Sequence, residues 1–375
     1  MIIILCIDNP ILFDINKNKL KKEIIIIEKY FKICNNGILL SGKNKMKKVK
    51  NPIISIISAV YNKENYIKTF LRSIQNQNYD EIEIILIDDY SKDNTVNIIE
   101  NIQKEDERII LLKHKKNKGT LISRNEGILF SKGKYIIIPD SDDLLSSNIL
   151  KQSLMIAEEK NYDFIRFNTY LGNKNIYFYN KIKNLSNQTI DQPELSSLMF
   201  YGLGYLKLID PMISNKFIKR NILINTLNSI NRYFLTQNMI FYEDTLINYI
   251  IYKTSKSYYY LKNIGYFYVI NPKSSTNSFK NEKSCIRLLY SFFIFLKFIF
   301  ENTKNNKYEK NMLNEILEKE KKIILLLNKN IINKYFSFFK NIINLYLSNK
   351  YIKTSMKKML KRTIELKNEY NILSN

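Results

Sequence analysis

The sequence predicts an α/β protein with a mostly parallel sheet, helices on both faces of the sheet and a helical extension at the C-terminus. The main observation is that four apolar runs, rich in β-branched residues, alternate with segments whose apolar residues recur at helical spacing. The second is that each run is apolar along its whole length, which is typical of parallel strands buried on both sides.

The elements of the regular part follow one another from residue 51 to residue 139. Strands are predicted at the four apolar runs, and helices where apolar residues recur every three or four positions. In chain order these are a strand at 53–60, a helix at 67–74, a strand at 82–87, a helix at 96–102, a strand at 108–113, a helix at 121–130 and a strand at 135–139.

The rest of the chain is less regular. A helix at 147–161 and a strand at 162–170 are followed, after an unclear segment at 172–208, by a helix that starts near residue 243 and by strands within 257–270. Beyond residue 281 the pattern indicates a lysine-rich series of helices. The predicted division of the chain is a basic N-terminal extension at 1–50, a central domain at 51–270 and a helical C-terminal region at 271–375.

The chain is strongly basic, with a formal net charge of +24. Of its 59 basic residues only eight are Arg, whereas proteins that read nucleic acids favour Arg for bidentate contacts. The excess of Lys indicates attraction to a phosphate-bearing ligand or to an anionic membrane face, and a solvated surface is the alternative explanation. We do not expect nucleic acid as a partner.

The cysteines and the single histidine exclude some classes of site. Cys6, Cys34 and Cys285 lie far apart without CxxC spacing, which favours a reducing compartment and gives no zinc motif. His114 closes an apolar run, so we expect it on the surface at the end of a strand. A Ser-His-Asp or Cys-His mechanism would have this one histidine as its base, and no GxSxG motif accompanies it.

Two apolar stretches of the chain have some features of targeting or membrane segments. The first seven residues are too short for a signal peptide, lack a basic start and are followed by Asp8. The stretch 288–300 contains Lys297 and falls short of the roughly 20 residues that span a bilayer. We expect it to form a buried or a membrane-surface helix, in a cytoplasmic protein that contacts the membrane peripherally if at all.

Polar residues follow three of the predicted strands at their carboxyl ends. Tyr61 and Asn62 follow the first strand, Asp88 and Asp89 the second, and an acidic loop the fourth. In a sheet of this kind such ends meet at one edge, where ligands bind. The acidic loop contains Asp140, Asp142 and Asp143.

Asp140 and Asp142 lie two positions apart in this loop, just past a strand. Their oxygens suit a hard divalent cation such as Mn²⁺ or Mg²⁺, which often completes its shell with waters and substrate phosphates. The alternative is a loop whose Asp side chains cap turns and the next helix. The acidic pair at the neighbouring strand end favours the metal and nucleotide interpretation.

Five stretches of the chain occur in the order in which one protein family carries them. They are ISIISAVYNKENYI, LIDDYSKDNT, NKGTLISRNEGILFSKGKYIIIPDSDD, ISNKFIKRNIL and EDTLINYI. Through them the chain resembles the inverting family-two glycosyltransferases of the nucleotide-diphospho-sugar transferase superfamily. The resemblance implies the GT-A, Rossmann-like fold, with a nucleotide-sugar half at 51–150 and an acceptor half at 151–270. It also implies transfer of a sugar from a nucleotide donor, a UDP-sugar, to an acceptor hydroxyl.

The resemblance further implies roles for matching side chains. Asp89 would accept a hydrogen bond from uracil N3–H, and Asp88 or Asp140 would lie near the base or ribose. Asp142 would be the main ligand of Mn²⁺ or Mg²⁺, with Asp140 in the same DXD element, and Arg124 would face the nucleotide or diphosphate. The nucleotide pocket would also be lined by Tyr61, Asn62 and Glu64.

An acceptor hydroxyl needs a base as it attacks, and general-base help is worth about 10²–10⁴ in rate. Glu243 and Asp244 are the candidates, because FYED precedes an apolar helical stripe and resembles the family's ED motif. We expect Asp244 to be the base and Glu243 to orient the site or contact the acceptor. The alternative is a pair of acids favoured by the dipole at the start of a helix.

Two other functions stay open from the sequence. One is a catalytically inactive nucleotide-sugar-binding relic, against which intact Asp142 and Asp244 argue. The other is a basic nucleic-acid-binding protein, against which the acidic crevice argues, since a groove for nucleic acid is positive and aromatic. The acceptor could be a glycan, a lipid-linked molecule or another hydroxyl compound.

Overall fold

The structure is a computed structural model that describes residues 49–171, 212–230, 239 and 242–269, together with residues 291, 294, 295 and 298. Nearly all of the predicted N-terminal extension and of the predicted C-terminal helical region lies outside these residues, as does the unclear segment 172–208. The predicted domain boundaries therefore remain predictions.

Eight strands and six helices are found in the described part of the chain. The strands are β1 (Ile54–Val60), β2 (Ile82–Asp88), β3 (Ile109–Lys113), β4 (Tyr135–Ile137), β5 (Leu144–Leu145), β6 (Phe164–Leu171), β7 (Lys216–Lys219) and β8 (Tyr258–Tyr268). The helices are α1 (Ile67–Gln75), α2 (Thr95–Gln103), α3 (Thr120–Phe130), α4 (Ile149–Lys160), α5 (Arg220–Ser229) and α6 (Glu243–Thr254).

All eight strands form one sheet, in the order β3-β2-β1-β4-β7-β6-β8-β5. The pairings among β1, β2, β3 and β4 are parallel, as is that of β6 with β8. The short strands β5 and β7 run antiparallel to their neighbours. The mostly parallel sheet predicted from the apolar runs is therefore confirmed.

Helices pack on both faces of the sheet, because alternate residues of each strand point to opposite sides. On one face Ile56 of β1 shares an apolar cluster with Phe70 of α1. On the other face α3 lies so close that a Cβ atom at Gly127 would come within 2.4 Å of Ile57. Glycine at this position therefore allows the close approach of α3 to the sheet.

The register of the parallel strands brings three loops to one edge of the sheet. Val60 of β1 pairs with Asp88 of β2, and Ile56 of β1 pairs with Ile137 of β4. Since the three strands run in the same direction, the loops that follow them leave the sheet side by side. This is the arrangement expected from the polar strand ends.

The second half of the sheet differs from the prediction in two respects. β5, β7 and α5 were not predicted, because strands of two and four residues are too short to show a period. The segment predicted to hold several strands forms one strand, β8, of 11 residues. Its pairing with β6 shifts register beside Asn168, which lets one long strand follow a twisted neighbour.

Four residues of the apolar stretch 288–300 are described, and they are helical and buried. The ring of Phe295 stacks on that of Tyr242 at 5.3 Å, and Phe298 meets Tyr249 edge-on at 5.7 Å. These residues therefore pack against α6 and the residue before it, as in the buried-helix alternative. Within the described ranges no helix is both long and apolar enough to cross a membrane.

Candidate active site

The carboxylates of the acidic loop after β4 have two different roles: one holds the loop in place, and the other two lie at the candidate site. Asp143 is 1% exposed, and its carboxylate accepts hydrogen bonds from the Tyr266 hydroxyl and from Val269 N at 2.7 Å. Burial raises the pKa of Asp143 well above its usual value. The Tyr266 hydroxyl also accepts a bond of 3.1 Å from Asp140 N. Asp143 and Tyr266 thus hold the loop to β8, which leaves Asp140 and Asp142 for the site.

Arg124 of α3 joins the acidic loop to the start of α6. Its side chain is 4% exposed, and Nη2 donates to Asp140 Oδ1 at 2.6 Å. Nη1 donates to Asp244 Oδ1 and lies 3.8 Å from Glu243 Oε1. Burial alone would lower the pKa of Arg124, but the charges of Asp244, Asp140 and Glu243 outweigh it and raise the pKa. Arg124, predicted to face the nucleotide, is therefore engaged with the carboxylates of the site.

The two candidate bases lie in the first turn of α6, as predicted, and differ in their contacts. Burial and the charge of Asp244 raise the pKa of Glu243 to about 8, with Arg124 opposing the rise. Glu243 therefore keeps its proton at neutral pH. Asp244 is held by Arg124 and by Ile213 N, which donates to Oδ2 at 3.3 Å. Arg124 and Ile213 N thus fix both oxygens of the Asp244 carboxylate in the site.

The pKa of Asp140 is raised by its surroundings in the site. Burial raises the pKa of Asp140, the contact with Arg124 opposes the rise, and the charges of Asp244 and Asp142 add to it. Its side chain is 37% exposed, which makes it the most open carboxylate bound to Arg124. Asp140 can therefore exchange its partner for another cationic group with little rearrangement.

Asp89 lies at the end of β2 in a set of fixed donors. Its carboxylate is bonded by Lys118 N at 2.7 Å and by Gly119 N at 2.8 Å. His114 Nδ1 lies 2.8 Å from the same carboxylate, and His114 Nε2 lies 2.7 Å from Glu126 Oε2. The surface position expected for His114 was wrong, since its side chain is 5% exposed. Burial of the ring is tolerated because each of its nitrogens lies within hydrogen-bond distance of a carboxylate.

Asp88 adds an unsatisfied acceptor beside this set. It is 3% exposed, and Oδ2 accepts a bond of 3.1 Å from Ser91 N. Oδ1 is buried and has no hydrogen-bond partner among the described residues. Because buried polar atoms are nearly always paired, this oxygen is available to a donor from a ligand.

The loop after β1 is tied to the loop after β2. Asn62 donates from its backbone to Ser91 Oγ at 2.9 Å and accepts from Lys92 N at 2.8 Å. Glu64 Oε2 accepts from Asn94 N at 3.0 Å. Asn62 and Glu64, both predicted to line the nucleotide pocket, thus connect the two loops. Tyr61 is 40% exposed at this edge.

Tyr90 follows the Asp88–Asp89 pair and was missed by the sequence reasoning. It has a φ of 71°, which is rare for a bulky residue, and it is 41% exposed. The Nζ atom of Lys92 lies 3.2 Å from the centre of its ring. An aromatic residue directly after an acidic strand end was the signal that could have indicated it.

The pair Asp142 and Asp140 can be tested for its fit to a divalent cation. Asp142 Oδ2 lies 2.5 Å from Nζ of Lys63, so this oxygen already binds a positive group. In the described residues no cluster of three or more His, Cys, Asp or Glu side chains is arranged around an ion position. Two carboxylates suffice for Mn²⁺ or Mg²⁺, which take the remaining ligands from water and phosphate. The donor set therefore fits the ion in kind and number.

Comparison with known proteins identifies the family of this domain. The family model described as Glycosyl transferase family 2 matches residues 55–240. Residues 55–240 form a glycosyltransferase family 2 domain. Glycosyltransferase GlyG of Streptococcus pneumoniae is 37% identical over 131 residues, which cover 34% of this chain and 43% of GlyG. The chain covers less than half the length of the curated relatives it matches.

Solved structures share the fold of this family 2 protein. S. aureus TarS 1–349 in complex with UDP has a TM-score of 0.51 at 18% identity, over 70% of each chain. The mannosyltransferase PcManGT from Pyrobaculum calidifontis, in complex with GDP-Man and Mn²⁺, has a TM-score of 0.50 at 12% identity. That match covers 91% of this chain and 94% of PcManGT. The fold is GT-A, as expected.

Proposed function

We propose that this protein transfers a sugar from a UDP-sugar to an acceptor hydroxyl, with inversion in a single displacement. The observation that carries the proposal is the double contact of Arg124. It reaches Asp140, 16 residues away in the acidic loop, and Asp244, 120 residues away in α6. The guanidinium of Arg124 therefore lies between Asp140, the carboxylate expected at the donor, and Asp244, the carboxylate expected to act as base.

The nucleotide would lie at the ends of β1 and β2. Asp89 Oδ2 accepts Gly119 N and has a second lone pair for uracil N3–H. The unpaired Oδ1 of Asp88 would accept from the base or ribose. The exposed ring of Tyr61 would stack on the base, a contact that is worth about 1–3 kcal/mol per base. The UDP in the TarS complex and the GDP-Man in the PcManGT complex support a nucleotide-sugar donor.

Asp142 and Asp140 would hold Mn²⁺ or Mg²⁺ together with the diphosphate. The cation would neutralise the negative charge that develops on the leaving nucleoside diphosphate. The Mn²⁺ in the PcManGT complex supports this part of the proposal. What the protein itself supplies is a pair of carboxylates fixed to the sheet edge by Asp143, Tyr266 and Arg124.

Asp244 would remove the proton of the acceptor hydroxyl. As the hydroxyl oxygen bonds to the anomeric carbon, the bond from that carbon to the β-phosphate oxygen breaks, and its electron pair leaves with UDP. The proton passes to Asp244 and later to solvent. Glu243, which is protonated at neutral pH, would donate a hydrogen bond that orients the acceptor.

The acceptor would be a glycan, a lipid-linked molecule or another hydroxyl compound. The net charge of +24 supports peripheral contact with an anionic membrane. Co-sedimentation with vesicles that contain anionic lipid, compared with neutral vesicles at low salt, tests this part. Equal recovery of the protein with both vesicles would contradict it.

The proposed activity is tested by UDP release from a panel of UDP-sugars, with Mn²⁺ or with a chelator. We expect slow hydrolysis of one donor that requires the metal. Both Asp142→Ala and Asp244→Ala should lower the rate by about 100-fold or more, because each removes a group that acts in the transition state. Glu159→Ala, which changes a carboxylate that is 69% exposed on α4, is the control and should keep the wild-type rate.

The outcomes separate the alternatives. Metal-dependent binding of UDP without release from any donor, even with acceptors present, would favour the inactive relic. Absence of both turnover and UDP binding would overturn the proposal as a whole.

A further inference from the structure

Lys63 contacts the carboxylate that is expected to bind the metal, a contact that could not be predicted from the sequence. Its Nζ atom is 2.5 Å from Asp142 Oδ2, and the two side chains are 20% and 14% exposed. Lys63 lies between Asn62 and Glu64, which connect the loops after β1 and β2. The contact therefore joins the end of β1 to the acidic loop after β4, across the centre of the site.

The backbone of Lys63 is held firmly while its side chain reaches out. Its N–H donates to Thr95 Oγ1 at 2.7 Å, and its carbonyl accepts from Tyr66 N and Ile67 N at 2.9 Å. These bonds fix the residue between the first turn of α2 and the start of α1. A lysine ammonium is a compact charge on a flexible stem of four carbons. The side chain can therefore change partner without movement of the loop.

A divalent cation and an ammonium group cannot share the same carboxylate oxygen closely. At separations near 4 Å the repulsion between positive charges is worth about 1 kcal/mol per pair of unit charges in water and more in a partly buried site. Asp142 is largely buried, so a positive partner stabilises its charge. The metal and the ammonium therefore compete for the Asp142 carboxylate.

We propose that Lys63 occupies the cation position on Asp142 in the nucleotide-free protein and moves to the diphosphate when Mn²⁺ or Mg²⁺ binds. This inference rests on the proposed function, because it takes the diphosphate to lie beside Asp142. The displaced ammonium then neutralises part of the phosphate charge from the side of α1 and α2. Lys63 is in this way a positioning residue for the donor and a competitor of the metal.

This role predicts that loss of Lys63 strengthens the binding of Mn²⁺ and weakens the binding of UDP. A salt bridge with a purely structural role would not produce these opposite effects. In Lys63→Met the competing charge is gone, so Mn²⁺ should bind the nucleotide-free protein about tenfold more tightly. UDP should bind about tenfold more weakly at saturating Mn²⁺, because no displaced ammonium meets its phosphates. Mn²⁺ binding is read from the electron paramagnetic resonance signal of the free ion, and UDP binding from calorimetry.

The matched control is Lys68→Met, which changes an exposed lysine five residues along the chain. Both of its binding constants should equal those of the wild type. Asp142→Asn should lose Mn²⁺ binding, which shows that the resonance signal reports on this carboxylate. Should Lys63→Met fail to fold, Lys63→Gln replaces it, since the amide also lacks the charge.

The results distinguish this inference from the proposed function. Wild-type protein that binds UDP, with a Lys63 variant that binds Mn²⁺ no more tightly, would overturn the inference and leave the proposed function intact. A wild type that binds no UDP with or without Mn²⁺ would overturn both. Tighter Mn²⁺ binding together with weaker UDP binding at saturating Mn²⁺ supports the exchange.

Discussion

Two carboxylates at the same edge of the sheet are held in different ways. Asp89 accepts two backbone N–H groups and lies against the buried ring of His114, whereas Asp142 pairs with the flexible side chain of Lys63. Backbone donors cannot leave their acceptor without movement of the chain, but an ammonium can. The comparison teaches that the part of the proposed donor site around the nucleobase is rigid. The part around the diphosphate contains a carboxylate whose cationic partner can be exchanged.

The largest expected effect is a loss of stability in Asp89→Ala. The change leaves the partly buried N–H groups of Lys118 and Gly119 unpaired and removes one of the two carboxylates that face His114, which should cost about 3 kcal/mol. Asp142→Ala should cost about 1 kcal/mol, because it loses one ion pair with a partly exposed lysine. Urea denaturation of both variants measures the difference, and equal losses would remove the distinction between a rigid and an exchangeable carboxylate.

The next effect concerns pH and Glu243, on the side of Arg124. The usual pKa is 4.5 and the pKa in the folded protein is about 8, so from pH 4.5 to pH 8 the folded state holds a proton that the unfolded state has released. This contribution to stability is complete below pH 4.5 and is lost as the pH rises through 8. Glu243→Gln cannot titrate at this position. Between pH 5 and pH 8 the free energy of unfolding should therefore decrease more in the wild type than in the variant, by about 1 kcal/mol or more.

Urea denaturation at several pH values checks this expectation. Glu159→Gln, which changes a 69% exposed carboxylate, is the control and should keep the wild-type slope. A wild type and a Glu243→Gln variant with parallel pH profiles would show that Glu243 is ionised in the folded protein, and would restore it as a second candidate for the base.

The smallest expected effect tests the backbone of Tyr90, whose φ is 71°. Tyr90→Ala and Tyr90→Gly both remove the ring and its contact with Lys92, but only glycine adopts this φ without cost. The glycine variant should therefore be about 1 kcal/mol more stable than the alanine variant, after allowance for the larger entropy of unfolded glycine. Thermal denaturation decides it, and an alanine variant as stable as the glycine one would show that this loop relaxes easily.

The central β-strands and helices could be predicted from the sequence because each carries a continuous local signal. β2 is buried along its whole length and β1 at all but one residue, so their apolar runs stand out, and α1 shows a regular apolar stripe. β5 and β7 could not be predicted, since their position depends on pairing with β8 and with β4 and β6. Strands of this length are defined by their neighbours and not by their own residues.

The candidate residues of the site could be named from the sequence, but their contacts could not be predicted. The order of the family motifs indicated Asp89, Asp142 and Asp244, and the roles of these residues remain predictions. Lys63 could not be distinguished in a chain with 59 basic residues. His114 was assigned to the surface because the sequence around it does not show that Asp89 and Glu126 face its ring. Such contacts arise only when distant loops meet.

Gly127 links the interior of the protein to the proposed chemistry. It lies three residues after Arg124 on α3, at the point where the helix touches Ile57 and Ile87 of the sheet. A methyl group added there would lie 2.4 Å from Ile57 and 2.7 Å from Ile87, so these side chains or α3 would have to shift, and any shift of α3 would move Arg124 with it. The spacing between the proposed base and the proposed donor is therefore adjusted from the core, by a residue that no substrate ever meets.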